Sequence, residues 1–357
     1  MNLATKKLTV ASVIASLLVS LIACQPAPQT PTPSVDSSKA QKETALPGKG
    51  VKVRPAYDIL EQLFIAEIFN MALEKLGYEV AELKQINSAA LMYTAIANSD
   101  IDFTPLDWEK LYQELYEKNG GEKKLERVGA IADNLVQGYQ IDKKTADTYK
   151  ITNLGQLKDP KIAKLFDSDG DGKANFVGPP AGFGVDEVMQ HHINAYGLRD
   201  TVEIDQGNYI ALMTDVITRY KQGKPVLYFT WVPSWTNAVL KPGQDTIWLA
   251  VPFTSMPEKM GKFTEKDTTL NGKNYGFAVD RMRVLANKNF LETNPAAKRL
   301  FELIQIPVAD LNAQQGLFQK GENTPEKIHR QAEDWIKNHQ QLFDSWIKEA
   351  KKAGKAS

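Results

Sequence analysis

Three aromatic side chains stand where short apolar runs end. Trp108 follows Ile101–Phe103, Phe183 sits on a glycine-flanked turn after Phe176-Val177, and Trp231 follows Pro225–Phe229. Such strand ends are where α/β proteins gather their ligands. The face of each ring attracts a cation by about 0.5–2 kcal/mol, most where water is excluded. A quaternary ammonium donates no hydrogen bond, so rings hold it better than carbonyls. The turn Gly182-Phe183-Gly184-Val185 leads into a helix predicted from Asp186 to Tyr196. The first N–H groups of a helix lack internal partners and favour an anion or carboxylate. The two glycines read equally well as a plain tight turn. Rings and helix start together suit a small zwitterion carrying an ammonium and a carboxylate.

Other chemistry is poorly supported. There is no Gly-x-Ser-x-Gly, no His-Glu-x-x-His, no Walker lysine after the glycine turn and no third glycine for a dinucleotide fingerprint. His191 and His192 are adjacent on a predicted helix, so their rings point different ways. Asp167, Asp169 and Asp171 resemble the first half of a calcium loop, but the twelfth position is Gly178 rather than an acid. A solvated Asp-Gly turn is the stronger reading there. No cofactor is implied. Net charge is zero over 357 residues, which gives no electrostatic case for nucleic acid.

The elements that position these residues alternate between strand and helix. Leu60–Leu76 has an apolar face and Gly77 to stop it; Ser88 caps a helix to Ala97; Asn294-Pro295 and Thr324-Pro325 start two more. This order argues α/β layers with a largely parallel sheet. Trp235 and Trp248 read as core, and one last helix is expected to line up Ile328, Trp335, His339, Trp346 and Ala350 on a single stripe.

The amino terminus reads as an address. Lys6-Lys7 precedes an apolar run from Leu8 to Ala23, too short to favour a spanning helix. Leu21-Ile22-Ala23-Cys24 looks like the lipobox of bacterial lipoproteins, which implies cleavage after residue 23 and lipidation of Cys24, the single cysteine. The stretch 24–50 is rich in Pro, Ser, Thr and Lys and reads as a flexible tether to the bilayer.

Longer stretches carry a family likeness. Leu46-Pro47-Gly48-Lys49-Gly50, Ala72–Tyr78, Ile141–Asp147, Leu157–Asp167, Gln206-Gly207-Asn208-Tyr209, Thr230-Trp231 and Asn294–Ala297 occur in one order. Through them the chain resembles the glycine betaine/proline betaine-binding subunits of bacterial ABC importers, over nearly everything from Leu46 to Ala350. The resemblance implies a two-lobed periplasmic-binding-protein fold of type II-like topology, with ligand between the lobes and a hinge. It implies no catalysis, a monomer, and permease and ATPase subunits as partners. It puts an aromatic box on Trp108, Phe183 and Trp231, and carboxylate contacts on the amides of Gly184 and Val185 and on the side chain of Tyr112. The chain has Phe183 where the family has Trp and Tyr112 where it has His. It also has Pro179 and Val185 where the family has a disulfide pair. The expected lobes are 51–142 with 277–350, and 143–276. Alternatives are another small solute (choline, ectoine, proline or taurine) or a secreted surface hydrolase.

Overall fold

The folded chain begins earlier than Val51 and runs past Ala350. The computed structural model describes residues 45–179, 181 and 184–355. The leader expected over 1–23, Cys24 and most of the tether lie outside the described residues, as do Pro180, Gly182 and Phe183. The last residues of the expected tether belong to the fold. The Gly48 N–H donates to the Leu76 carbonyl at 2.9 Å, and a side chain at Gly48 would collide with the Tyr78 ring.

The strands of the two main sheets are β1 (Phe103–Trp108), β2 (Leu125–Leu135), β3 (Gln137–Asp142), β4 (Ala174–Val177), β5 (Val202–Asp205), β6 (Leu227–Trp231), β7 (Thr246–Trp248) and β8 (Asp280–Asn287). The helices used below are α1 (Leu63–Lys75), α2 (Ala89–Ala97), α3 (Gln113–Lys118), α4 (Gly184–Ala195), α5 (Tyr209–Lys221), α6 (Trp235–Val239), α7 (Val308–Gln319), α8 (Pro325–Asn338) and α9 (Gln340–Ala353). One sheet has the order β1-β8-β2 and the other β7-β3-β6-β4-β5.

The expected parallel sheet is corrected by these pairings. Both ladders of the first sheet are antiparallel. In the second, β3 is antiparallel to β6 and β7, and only β6–β4 and β4–β5 run parallel. The alternation of strand and helix misleads because the return strand β8 comes from far along the chain and inserts between β1 and β2. The chain crosses between sheets at Val136, so β3 lies in the second sheet, although a boundary at residue 142 would place it with the first. A short strand covers Lys273–Asn274, and the return strand β8 starts at Asp280.

Each sheet has its own apolar core. Phe69, Phe103 and Phe301 anchor the first, with Phe103 and Phe301 only 4.5 Å apart between ring centres. Tyr139, Phe176, Phe229 and Phe277 anchor the second. A smaller cluster beneath α5 takes in Tyr228 and Trp235, the latter core as expected. Burying one such side chain is worth about 1.5–3 kcal/mol. Trp231 packs against all three clusters, which places it where they converge. Trp248 is half-buried, edge-on to Tyr275 at 5.6 Å, rather than core.

The single last helix is in fact two. His339 leaves helical geometry at φ −116° and ψ 30°, between α8 and α9. Its ring stacks on Trp335 at 4.2 Å, and Trp335 stacks on Trp346 at 6.1 Å, so the expected stripe closes on itself as a helical hairpin. The adjacent histidines on α4 are both occupied at Ser255: His191 meets its hydroxyl at 2.7 Å and His192 its carbonyl at 2.8 Å. Burial pushes His192 down to about 3, so it is neutral.

Candidate functional site

Trp108 is the last residue of β1, and two devices hold it. The Asp280 carboxylate, at the start of β8, accepts the N–H groups of Lys110, Leu111 and Arg281 at 2.8–3.1 Å. It thereby fixes the turn between Trp108 and Tyr112. Burial nevertheless pushes the Asp280 carboxyl up to about 6. Behind the turn, the Arg127 guanidinium meets Asp107 at 2.6 Å, with side-chain exposures of 6% and 0%. The N–H is not aligned with that oxygen, so the contact is ionic rather than a directed hydrogen bond. Tyr93 on α2 donates a short hydrogen bond to Asp107 and accepts one from Arg127 at 2.9 Å. Burial pushes the Asp107 carboxyl up, and Arg127 and Tyr93 pull it back.

Trp231 ends β6. Its register partner is Gln137 on β3, and its carbonyl accepts from the Asn237 amide at 2.7 Å. Below it a buried hydroxyl chain links Thr230 to Thr236 at 2.5 Å and Ser234 to Thr236 at 2.9 Å. Tyr209 and Phe229 flank the indole at 5.2 and 6.0 Å between ring centres. Tyr209 is pinned by donating to the Phe229 carbonyl at 2.7 Å.

These two strand ends face one cavity of about 250 Å³. Trp108, Tyr112, Val185 and Trp231 all line it, so four of the six ligand residues read from the sequence are brought together. Gly184 opens α4 at the edge of this space. A Cβ there would stand 3.4 Å from the Tyr112 ring, so glycine lets the helix start close up on that tyrosine. Phe183 lies outside the described residues. Burial pushes the Tyr112 phenol up, with Asp58, Asp107 and Asp280 adding to it, so it stays protonated and able to donate.

The sequence reading missed Tyr209, Phe229, Gln137, Asp58 and Glu61, which also line the cavity. Tyr209 directly follows the helix cap Asn208, and Asp58 follows a strand end at Tyr57. For Asp58, a polar residue just past a strand end was the available signal. The loop carboxylates of Asp167, Asp169 and Asp171 do converge, with oxygens within 4.8 Å of one another. They line no part of the cavity. Asp167 accepts the loop N–H groups of Gly170 at 2.6 Å and Gly172 at 3.0 Å, which pull its carboxyl down.

A ring-walled cleft where two α/β lobes meet, with a helix start at its edge, defines a solute-binding protein of the two-lobed type. Residues 53–338 match the family described as the substrate binding domain of ABC-type glycine betaine transport systems. The chain is 49% identical over 312 residues to a glycine betaine-binding periplasmic protein of Dickeya dadantii, covering 87% of this chain and 93% of that one. It is 48% identical, with the same coverage, to the glycine betaine/proline betaine-binding periplasmic protein of Escherichia coli. A lactococcal protein solved closed with glycine betaine shares the fold at TM-score 0.62 and 18% identity, over 83% of this chain and 99% of that one. The chain therefore belongs to the family of substrate-binding domains of ABC-type glycine betaine transporters. Members of that family bind solutes for transport and are not enzymes.

Proposed function

We propose that the cleft captures glycine betaine, or a close quaternary-ammonium zwitterion, and delivers it to the permease and ATPase of an ABC importer for osmoprotectant uptake. The observation that carries this reading is the convergence of Trp108, Tyr112, Val185 and Trp231, far apart in sequence, on one cavity. The ammonium rests against Trp108, Trp231 and Phe183. The carboxylate takes the amides of Gly184 and Val185 and the Tyr112 hydroxyl. The names carried by relatives at 48–49% identity support the same ligand class.

The lobes in this proposal are 45–135 with 280–355, and 137–277, crossing at Val136 and near Val279. Helix α6 packs on α7 across the divide, with Gly316 opposite Ala238. Opening would part these contacts. Titrating the purified protein with glycine betaine, proline betaine, choline, ectoine and proline by calorimetry tests the reading. The expected result is one saturable site for a betaine, with a smaller radius of gyration by scattering when it is filled. No betaine heat, or stronger binding of proline than of any quaternary ammonium, would refute it.

We also propose export and a lipid anchor at Cys24, which rests on Leu21-Ile22-Ala23-Cys24. Labelled palmitate should enter the parent in a bacterial host and be absent from Cys24→Ala. Equal labelling of the two would remove the anchor.

A further inference from the structure

The cavity holds charge that the zwitterion does not explain. After the strand end at Tyr57 the chain turns through Leu60–Gln62 into α1, and this turn presents Asp58 and Glu61 to the cavity. The Ile59 N–H donates to Asp58 Oδ1 at 2.6 Å. Among the described residues, no Lys, Arg or His lines the cavity or lies within ion-pair reach of Asp58 or Glu61. Asp58 and Tyr112 also share a small adjoining cavity with Tyr93 and Asp107. Asp58 thus stands beside the wall to which the reading above assigns the ligand carboxylate.

We propose, resting on that reading, that Asp58 is a specificity-determining residue whose protonation state chooses between two kinds of quaternary ammonium. Ionised, it opposes the carboxylate of a zwitterion and favours a quaternary ammonium with no carboxylate. Protonated, it donates a hydrogen bond to that carboxylate, so capture of the zwitterion takes up one proton from solvent. Burial pushes the Asp58 carboxyl up to about 6, and the Glu61 charge pushes the same way. The sign follows: zwitterion affinity falls as pH rises through that value, and affinity for the carboxylate-free cation rises. The other titratable groups facing Asp58 are Glu61 from its own turn, Asp107 from the end of β1, Tyr112 from the turn after it, Tyr93 from α2 and Tyr209 from α5. Burial keeps the three tyrosines protonated, and Asp107 is paired with Arg127. That leaves Glu61, and Asp280 behind the turn that carries Tyr112, as the competing sources of a pH effect.

Calorimetry with glycine betaine and with choline, at pH 5 and pH 8 in two buffers of different ionisation enthalpy, separates the cases. In the parent, betaine should bind about tenfold or more weaker at pH 8, with buffer-dependent heat, while choline binds tighter; complete exclusion from the ionised form sets the limit of about tenfold per pH unit. Asp58→Asn, checked for folding by circular dichroism, should flatten both slopes and move the pH 8 preference at least about tenfold toward betaine, a change of about 1.4 kcal/mol. Asp58→Ser should do the same if the effect is one of charge. Betaine binding with no pH slope in the parent overturns this proposal alone. A slope kept in Asp58→Asn but lost in Glu61→Gln overturns the assignment to Asp58. Heat from neither ligand overturns the binding function and this proposal with it.

Discussion

Trp231→Ala is expected to weaken betaine binding roughly 30- to 1000-fold, or about 2–4 kcal/mol, the sum of one desolvated cation–π face and its apolar contact. The position is what makes the loss large. Trp231 ends β6 at the cavity, and Tyr209 and Phe229 hold its ring in place. Removing the indole also leaves Tyr209 without its ring neighbour, so a second wall of the cleft loosens. Two tryptophans serve as controls. Trp346 is buried in the helical hairpin and Trp248 lies against Tyr275, neither at the cavity. Their alanine variants should lose stability and keep affinity when compared at equal folded fraction. A folded Trp231→Ala protein that binds betaine like the parent would sink the aromatic-box reading and leave a resemblance of fold alone.

Arg127→Met should be among the most destabilising single changes, costing about 3–5 kcal/mol, because it strands a buried carboxylate. Asp107 is fully enclosed, and Arg127 is its ion-pair partner. Arg127 also donates to Gln113 at 2.6 Å and lies over the Tyr116 ring at 4.3 Å, so it ties β2 to α3 behind the cleft. With the guanidinium gone, burial is opposed only by Tyr93, and the Asp107 carboxyl rises further. A carboxyl raised in the folded state adds stability below its unfolded value and loses it as pH rises through the folded one. The variant should therefore regain stability on acidification relative to the parent, and Arg127→Met with Asp107→Leu should recover much of the loss at neutral pH. Urea midpoints at pH 5 and pH 8 measure this. An Arg127→Met midpoint equal to the parent's at pH 8 would show that the pair does not bear on stability.

Local chemistry was legible without coordinates. Ser88 accepts the Leu91 N–H as the cap of α2, Thr324 caps α8 ahead of Pro325, and Gly77 follows α1 with φ +88°. Each signal is complete within one turn of chain, so sequence determines it alone. The strand-end positions of Trp108 and Trp231 came from the same kind of evidence, an apolar run followed by an aromatic ring. Tertiary structure decided the rest. Whether β8 lies between β1 and β2 depends on pairing between segments far apart in the chain, and no local pattern records that choice. The placement of β3 in the second sheet hangs on a crossing one residue long, at Val136. Asp58 reads as an ordinary polar residue after a strand; only the fold brings it to the cavity beside Tyr93, Asp107 and Tyr112, where its charge matters. Arg127 and Asp107, twenty residues apart and on two strands that flank β8 without pairing, meet because the sheet brings their side chains to one buried point. Long-range pairing energy, rather than any residue's own preference, made these decisions.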